Sequence, residues 1–253
     1  MTANILVRVM KNKGNGARNL GTGRTVPEGK GELVKKVLLL AGVLTILNAA
    51  LLSQTVELPR MIHHKGEPGV YMPAQEVPQG MTEIYSSLGS DPKNLYDYID
   101  TWLVAGPNSV AGFSNFVAMP FTPKSNAHVL AVRTAVLWYG SGAEQVNLSI
   151  YQDSKGAPGK LLAGPVTVTN LPKAFSCCQL AVADFSSGVP VNGGTQYWVV
   201  ADTPTSGQGS NFLGEWASAV SPVLPLSADA DRTGWVTFSG NGLPAGDVQG
   251  TIP

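Results

Sequence analysis

The chain has 253 residues, with 17 Lys and Arg balanced by 17 Asp and Glu, 29 Gly, 18 Pro and only 2 Cys. This length suits one large domain or two small ones. The composition excludes a disulfide-stapled miniprotein, a collagen-like repeat, a highly charged disordered chain and a polytopic membrane protein. The zero net charge hides a segregation: residues 1–36 carry eight basic and two acidic side chains, leaving nine basic and fifteen acidic side chains for the rest.

The basic leader, residues 1–36, is rich in Gly and polar residues and is expected to be disordered. Directly after Lys35 and Lys36 comes the uncharged run VLLLAGVLTILNAALL, so residues 37–53 read as the apolar core of an export signal. Sixteen apolar residues fall short of the ~20 that span a bilayer and lie nearer the ~7 to 15 of a signal peptide. A cleaved signal peptide and an uncleaved amino-terminal anchor are the two alternatives, and either keeps the basic leader on the cytoplasmic side. Any membrane contact would come only through this segment.

Residues 54–80 contain Pro59, Pro68, Pro73 and Pro78 and read as a spacer. His63 and His64 fall inside it and are expected to stay solvated rather than to bind metal. From 81 to 240 the pattern has period two. Val146, Leu148 and Ile150 share one face of a strand, and Val132, Val136 and Trp138 share one face of a longer segment. Further strands are expected at 82–86, 96–104, 112–121, 166–169, 180–185, 196–201, 211–216 and 234–238, separated by clusters rich in Gly, Pro, Asn and Ser. The expected fold class is all-β, an antiparallel jelly-roll-like β-sandwich preceded by the signal or anchor helix and the Pro-containing linker. Residues 241–253 are expected to be a carboxy-terminal tail.

Cys177 and Cys178 are neighbours. They form either a vicinal disulfide or two thiols flanking the loop before Leu180. In the expected folded region His128 is the lone histidine, and the stretch 112–116 lacks the closing Gly of a nucleophile elbow, so no serine-hydrolase machinery is legible. The carboxylates cannot be paired from sequence for glycosidase chemistry. Glu215, within the apolar context FLGEWA, is the one to inspect for burial, although an outward-facing strand residue beside Trp216 is the expectation. Asp229 and Asp231, at alternate positions of an expected loop, could ligate a structural calcium, and they are also ordinary turn formers. No other cofactor is implied.

All five tryptophans fall on expected strands. The pairs Trp138-Tyr139 and Tyr197-Trp198 must each place one ring on either face, so one member of each pair is a candidate for contact with a sugar face. The net negative charge beyond the leader argues against nucleic acid, and no phosphate-binding loop is present.

The segment LSIYQDSKGAPGKLL (148–162), in which a strand ending in Tyr leads through Asp to a Gly-x-Pro-Gly turn, resembles bacterial exported domains called choice-of-anchor R. Gly194-Thr195-Gln196-Tyr197-Trp198 is similar to a later strand of that family, and Ala118-Met119-Pro120-Phe121-Thr122 to an early one. The likeness runs from about residue 84 to 238. It implies an exported, non-enzymatic β-sandwich with no catalytic residues to carry over. The expected function is a non-catalytic cell-surface or extracellular module that binds a glycan or a surface protein, the alternative being a secreted carbohydrate-active enzyme or its accessory binding module.

Overall fold

The computed structural model describes residues 61–65, 69–77, 79–220, 226–231, 234–239 and 242–253, with backbone only at 226–229, 231 and 239. The basic leader, the apolar run and the first part of the spacer lie outside these residues.

The described chain is all-β. Its strands in order are β1 (Met61–His63), β2 (Val70–Tyr71), β3 (Thr82–Ser86), β4 (Asp97–Ala105), β5 (Phe116–Phe121), β6 (Ala127–Thr134), β7 (Val136–Ser141) and β8 (Gln145–Asp153). They continue with β9 (Pro158–Thr169), β10 (Ser176–Cys177), β11 (Ala181–Val191), β12 (Tyr197–Asp202), β13 (Leu213–Ser218), β14 (Leu226–Asp231), β15 (Gly234–Ser239) and β16 (Gly246–Thr251). Six of them form one antiparallel sheet in the order β15-β14-β5-β12-β8-β9. Two four-stranded antiparallel sheets have the orders β1-β4-β13-β7 and β11-β6-β16-β3, and β2 pairs with β10 in parallel.

The two four-stranded sheets join at a corner. Strands β6 and β7 are separated by Ala135 alone, whose N–H donates to the Ala245 carbonyl and whose carbonyl accepts from the Ala217 N–H. Ala245 in turn donates to Ala217. The chain therefore turns from one sheet into the other without losing backbone hydrogen bonds, as a buried corner requires.

Period-two alternation places the core. Val117, Met119 and Phe121 of β5, Val146, Leu148 and Ile150 of β8, and Tyr197, Val199 and Ala201 of β12 all pack into one cluster. Trp102 and Val104 of β4, Val136 of β7, Trp216 of β13, and Val129 and Val132 of β6 belong to the same cluster. A single core thus joins the six-stranded sheet to both four-stranded ones, an arrangement that fits a β-sandwich.

Three expectations need correction. Part of the expected spacer belongs to the fold: β1 pairs with β4 in the register Met61 to Trp102, and β2 pairs with β10. A three-residue edge strand and a two-residue strand are too short to show a period. The expected tail contains β16, which lies between β6 and β3. The expected loop at 227–231 is strand β14, paired with β15 and β5.

Candidate functional site

Strand alternation sends Trp216 of β13 into the core and its neighbour Glu215 to the opposite face of the sheet. Glu215 stands in register with Leu103 of β4 and Leu137 of β7. Thr101 and Tyr139 are two residues along those strands, so their side chains emerge on the same face as the carboxylate. The Thr101 hydroxyl donates to Glu215 Oε2 at 2.9 Å and the Tyr139 hydroxyl at 2.5 Å. His64, just past β1, places Nε2 at 2.7 Å from the same oxygen. Tyr139 Oη is also 3.0 Å from His64 Nε2.

Glu215 has no exposed surface. A buried carboxyl is costly unless its oxygens are hydrogen-bonded, and three groups converge on Oε2. Oε1 is buried without a hydrogen-bond partner among the described residues. Burial, reinforced by the Glu215 charge, pushes the Tyr139 phenol far above its ordinary range, so Tyr139 stays protonated and donates. Burial likewise raises the Tyr96 phenol, with the Glu215 charge a smaller contribution.

A roof explains the burial of this outer face. The segment 172–178 is pinned to the edge of β7, where Trp138 N–H donates to Pro172 and Ala174 N–H to Trp138. Val70 N–H donates to Phe175, and Met72 exchanges backbone hydrogen bonds with Cys177 and Cys178. The Phe175 ring meets His64 edge-on, with centroids 4.7 Å apart, and Tyr139 at 6.2 Å. Phe175 has φ of 62°, a left-handed conformation that costs a non-glycine residue about 1–3 kcal/mol and is concentrated at functional sites.

Beside the cluster opens a depression of about 390 Å³, lined by Trp138, Tyr139, Gly140, Lys173, Ala174 and Phe175. Trp138 and Tyr139 are both half-buried, and the Trp138 indole N–H donates to the Ser141 carbonyl. Tyr139 therefore belongs to both places: it lines the depression and its hydroxyl rests on the sealed carboxylate.

The second aromatic pair is different. Tyr197 stacks on Phe121 in the main core, with centroids 5.6 Å apart, and Trp198 has no exposed surface. Trp198 lies on the opposite face of the six-stranded sheet with Ala118, Val200, Tyr151 and Trp235, and its indole N–H donates to Asp153. The expectation that one ring of this pair would face outward fails because both faces are buried there. The expectation that Glu215 faces solvent fails because the roof covers it. His63 lies on β1 and stays solvent-exposed as expected, pairing with Asp100 at 2.7 Å, whereas His64 is recruited to Glu215 and is not a solvated spacer residue. Cys177 and Cys178 are joined as a disulfide in the roof.

Asp229 and Asp231 occupy β14 opposite Val236 and Gly234. Among the described residues no group of three or more His, Cys, Asp or Glu side chains could hold a metal ion. Sequence reasoning missed His64, Thr101 and Phe175. Nothing local marks these side chains, although Thr101 lies on a strand the pattern predicts; the carboxylate that stood out as the lone charge in FLGEWA brings His64 and Thr101 together, and Phe175 joins them through its ring contact with His64.

No protein-family model matches the chain, and no curated protein matches its sequence.

Proposed function

We propose that the chain is an exported, non-catalytic β-sandwich of the jelly-roll kind, acting as a cell-surface or extracellular module that binds glycans at the Trp138-Tyr139-Phe175 depression. The observation that carries this reading is an aromatic-lined depression whose Tyr139 is fixed from beneath by a buried carboxylate. Sugars offer apolar C–H faces to such rings and hydroxyls to neighbouring polar groups. Lys173 and the backbone of Gly140 supply polar groups at its margin.

The carboxylate argues against glycoside hydrolysis. Such chemistry needs two acids able to reach the scissile bond, whereas Glu215 is sealed beneath Tyr139 and its three polar contacts are Thr101, Tyr139 and His64. Export is supported by the basic leader and the apolar run at 37–53. A disulfide in the roof suits an oxidising compartment. The likeness to choice-of-anchor R domains points the same way, with the apolar run as the membrane attachment.

The test is a glycan array probed with the purified full chain and with its Trp138→Ala variant. Binding to at least one oligosaccharide class is expected, with loss in the variant. Silence across a broad panel would remove the glycan reading, and release of new reducing ends would replace it with an enzymatic one.

A further inference from the structure

The Cys177-Cys178 disulfide sits where it can control the depression. Lys173, Ala174 and Phe175, half of the residues lining it, belong to the same short segment as the two cysteines. Cys177 is itself a residue of β10 and pairs with Tyr71 of β2. Cys178 accepts a hydrogen bond at Sγ from the Leu95 N–H at 3.4 Å, and its own N–H donates to Met72. One covalent link therefore lies at the junction of the roof, the β2 strand and the loop before β4.

The surroundings leave little room. Cys177 is 6% exposed and Cys178 is fully buried. Bonded sulfurs stand ~2.05 Å apart, whereas two thiols must separate to roughly van der Waals contact, about 3.5 Å or more. Close-packed interiors do not absorb such an expansion without displacement. The sulfurs themselves lie against Lys93 and Leu95 of the loop before β4, and the backbone beside them is lightly held: β2 and β10 are two residues long, and Val70, Tyr71 and Met72 are exposed. These lightly held strands lead directly to Phe175, whose carbonyl accepts from Val70 and whose ring meets those of His64 and Tyr139.

We propose that Cys177-Cys178 is a reducible switch that sets the shape of the depression. The disulfide form keeps the wall at 172–178 in place, and the dithiol form releases it. The step is a thiol–disulfide exchange with a dithiol reductant. One thiolate of the reductant attacks a sulfur of the pair, forming a mixed disulfide, and its second thiolate closes the reductant's own disulfide. Two electrons and two protons pass to Cys177 and Cys178, which become thiols. The effect on ligand rests on the glycan reading above, whereas the movement of the wall does not.

The experiment treats the purified full chain with dithiothreitol under native conditions and follows it by alkylation mass and amide hydrogen exchange. Two alkylated cysteines are expected, with exchange at 69–77 and 172–179 accelerated by about ten-fold or more while β5, β8 and β12 are unchanged. The double variant Cys177→Ser, Cys178→Ser should reproduce the reduced pattern, and oxidised dithiothreitol should restore the original one in the wild-type chain. Failure to free the thiols while the chain stays folded, or freed thiols with unaltered exchange in both segments, would overturn the switch. A chain that shows the exchange response but binds no sugar would retain the switch and lose the glycan reading.

Discussion

Glu215 gathers Thr101, Tyr139 and His64 onto one oxygen in a site without water access, so it ties three strands and the roof together. Glu215→Ala, which strands three hydrogen-bonding groups in a buried site, should lower stability by about 3–5 kcal/mol. Tyr139→Phe, which removes one hydrogen bond to a charged group, should cost about 1.5–3 kcal/mol. Urea denaturation measures both, and a Glu215→Ala loss no larger than that of Tyr139→Phe would contradict the convergence. Asp202 of β12 behaves differently, because burial pushes its carboxyl up to about 6 against an opposing hydrogen bond from Asn147. A raised acid binds more protons folded than unfolded. Its neutral form therefore leaves stability intact below the unfolded value near 3.8, and stability falls as pH rises through about 6. Asp202→Asn should stabilise the protein by about 3 kcal/mol at pH 7.5 and not at pH 3.5. An equal gain at both values would show that ionisation is not the cause. Asp153 has the opposite sign. Burial alone would raise it, but hydrogen bonds from Trp198, Gly156 and Gln196 together hold it below its ordinary value. Its contribution is present above the unfolded value and is lost on acidification through the lowered one.

Among the strands, those with a clear period of two were legible: β3 falls at 82–86 as its pattern predicts, and β8 starts at Gln145 as expected, although it is buried on both faces from Val146 to Ile150 rather than half-buried. The long segment through 132–138 is two strands, because the corner at Ala135 keeps both neighbours extended and leaves no break in the pattern. Strand β11 runs through SSGVPV, a turn-like string that the sheet accommodates as a bulge between Asp184 and Val189. Strand β16, GDVQGT, also resembles a turn. Its glycines are there for close approach, since a Cβ on Gly250 would collide with the His128 carbonyl. The same strand places Asp247 fully buried against Arg133, whose Nε donates to Oδ1 at 2.9 Å. Ending the chain after Leu243 should therefore leave Arg133 unpaired and split β6 from β3. Loss of cooperative thermal unfolding is expected by circular dichroism, and a truncated chain that melts like the full one would contradict the role of β16. The site was only half legible. A lone acid among apolar residues marked Glu215, and adjacent aromatics marked Trp138 and Tyr139. The roof that joins them is built from His64, Val70, Tyr71, Met72 and residues 172–178, distant in sequence and without a period.

At the scale of the whole molecule, the β scaffold presents the aromatic-lined depression proposed as the binding surface, where rings rather than reactive groups would meet the ligand. Trp102, Trp198 and Trp216 have no exposed surface, whereas Trp138 lines the depression and is half-buried. The five indole N–H resonances of the 15N-labelled full chain separate these environments. The decisive measurement is a titration with the oligosaccharide that gives the strongest array signal, followed at those resonances. A saturable shift of the Trp138 indole signal is expected, while those of Trp102, Trp198 and Trp216 stay in place. A Trp138 signal that does not move at saturating sugar, or a shift centred on a different tryptophan, would contradict it.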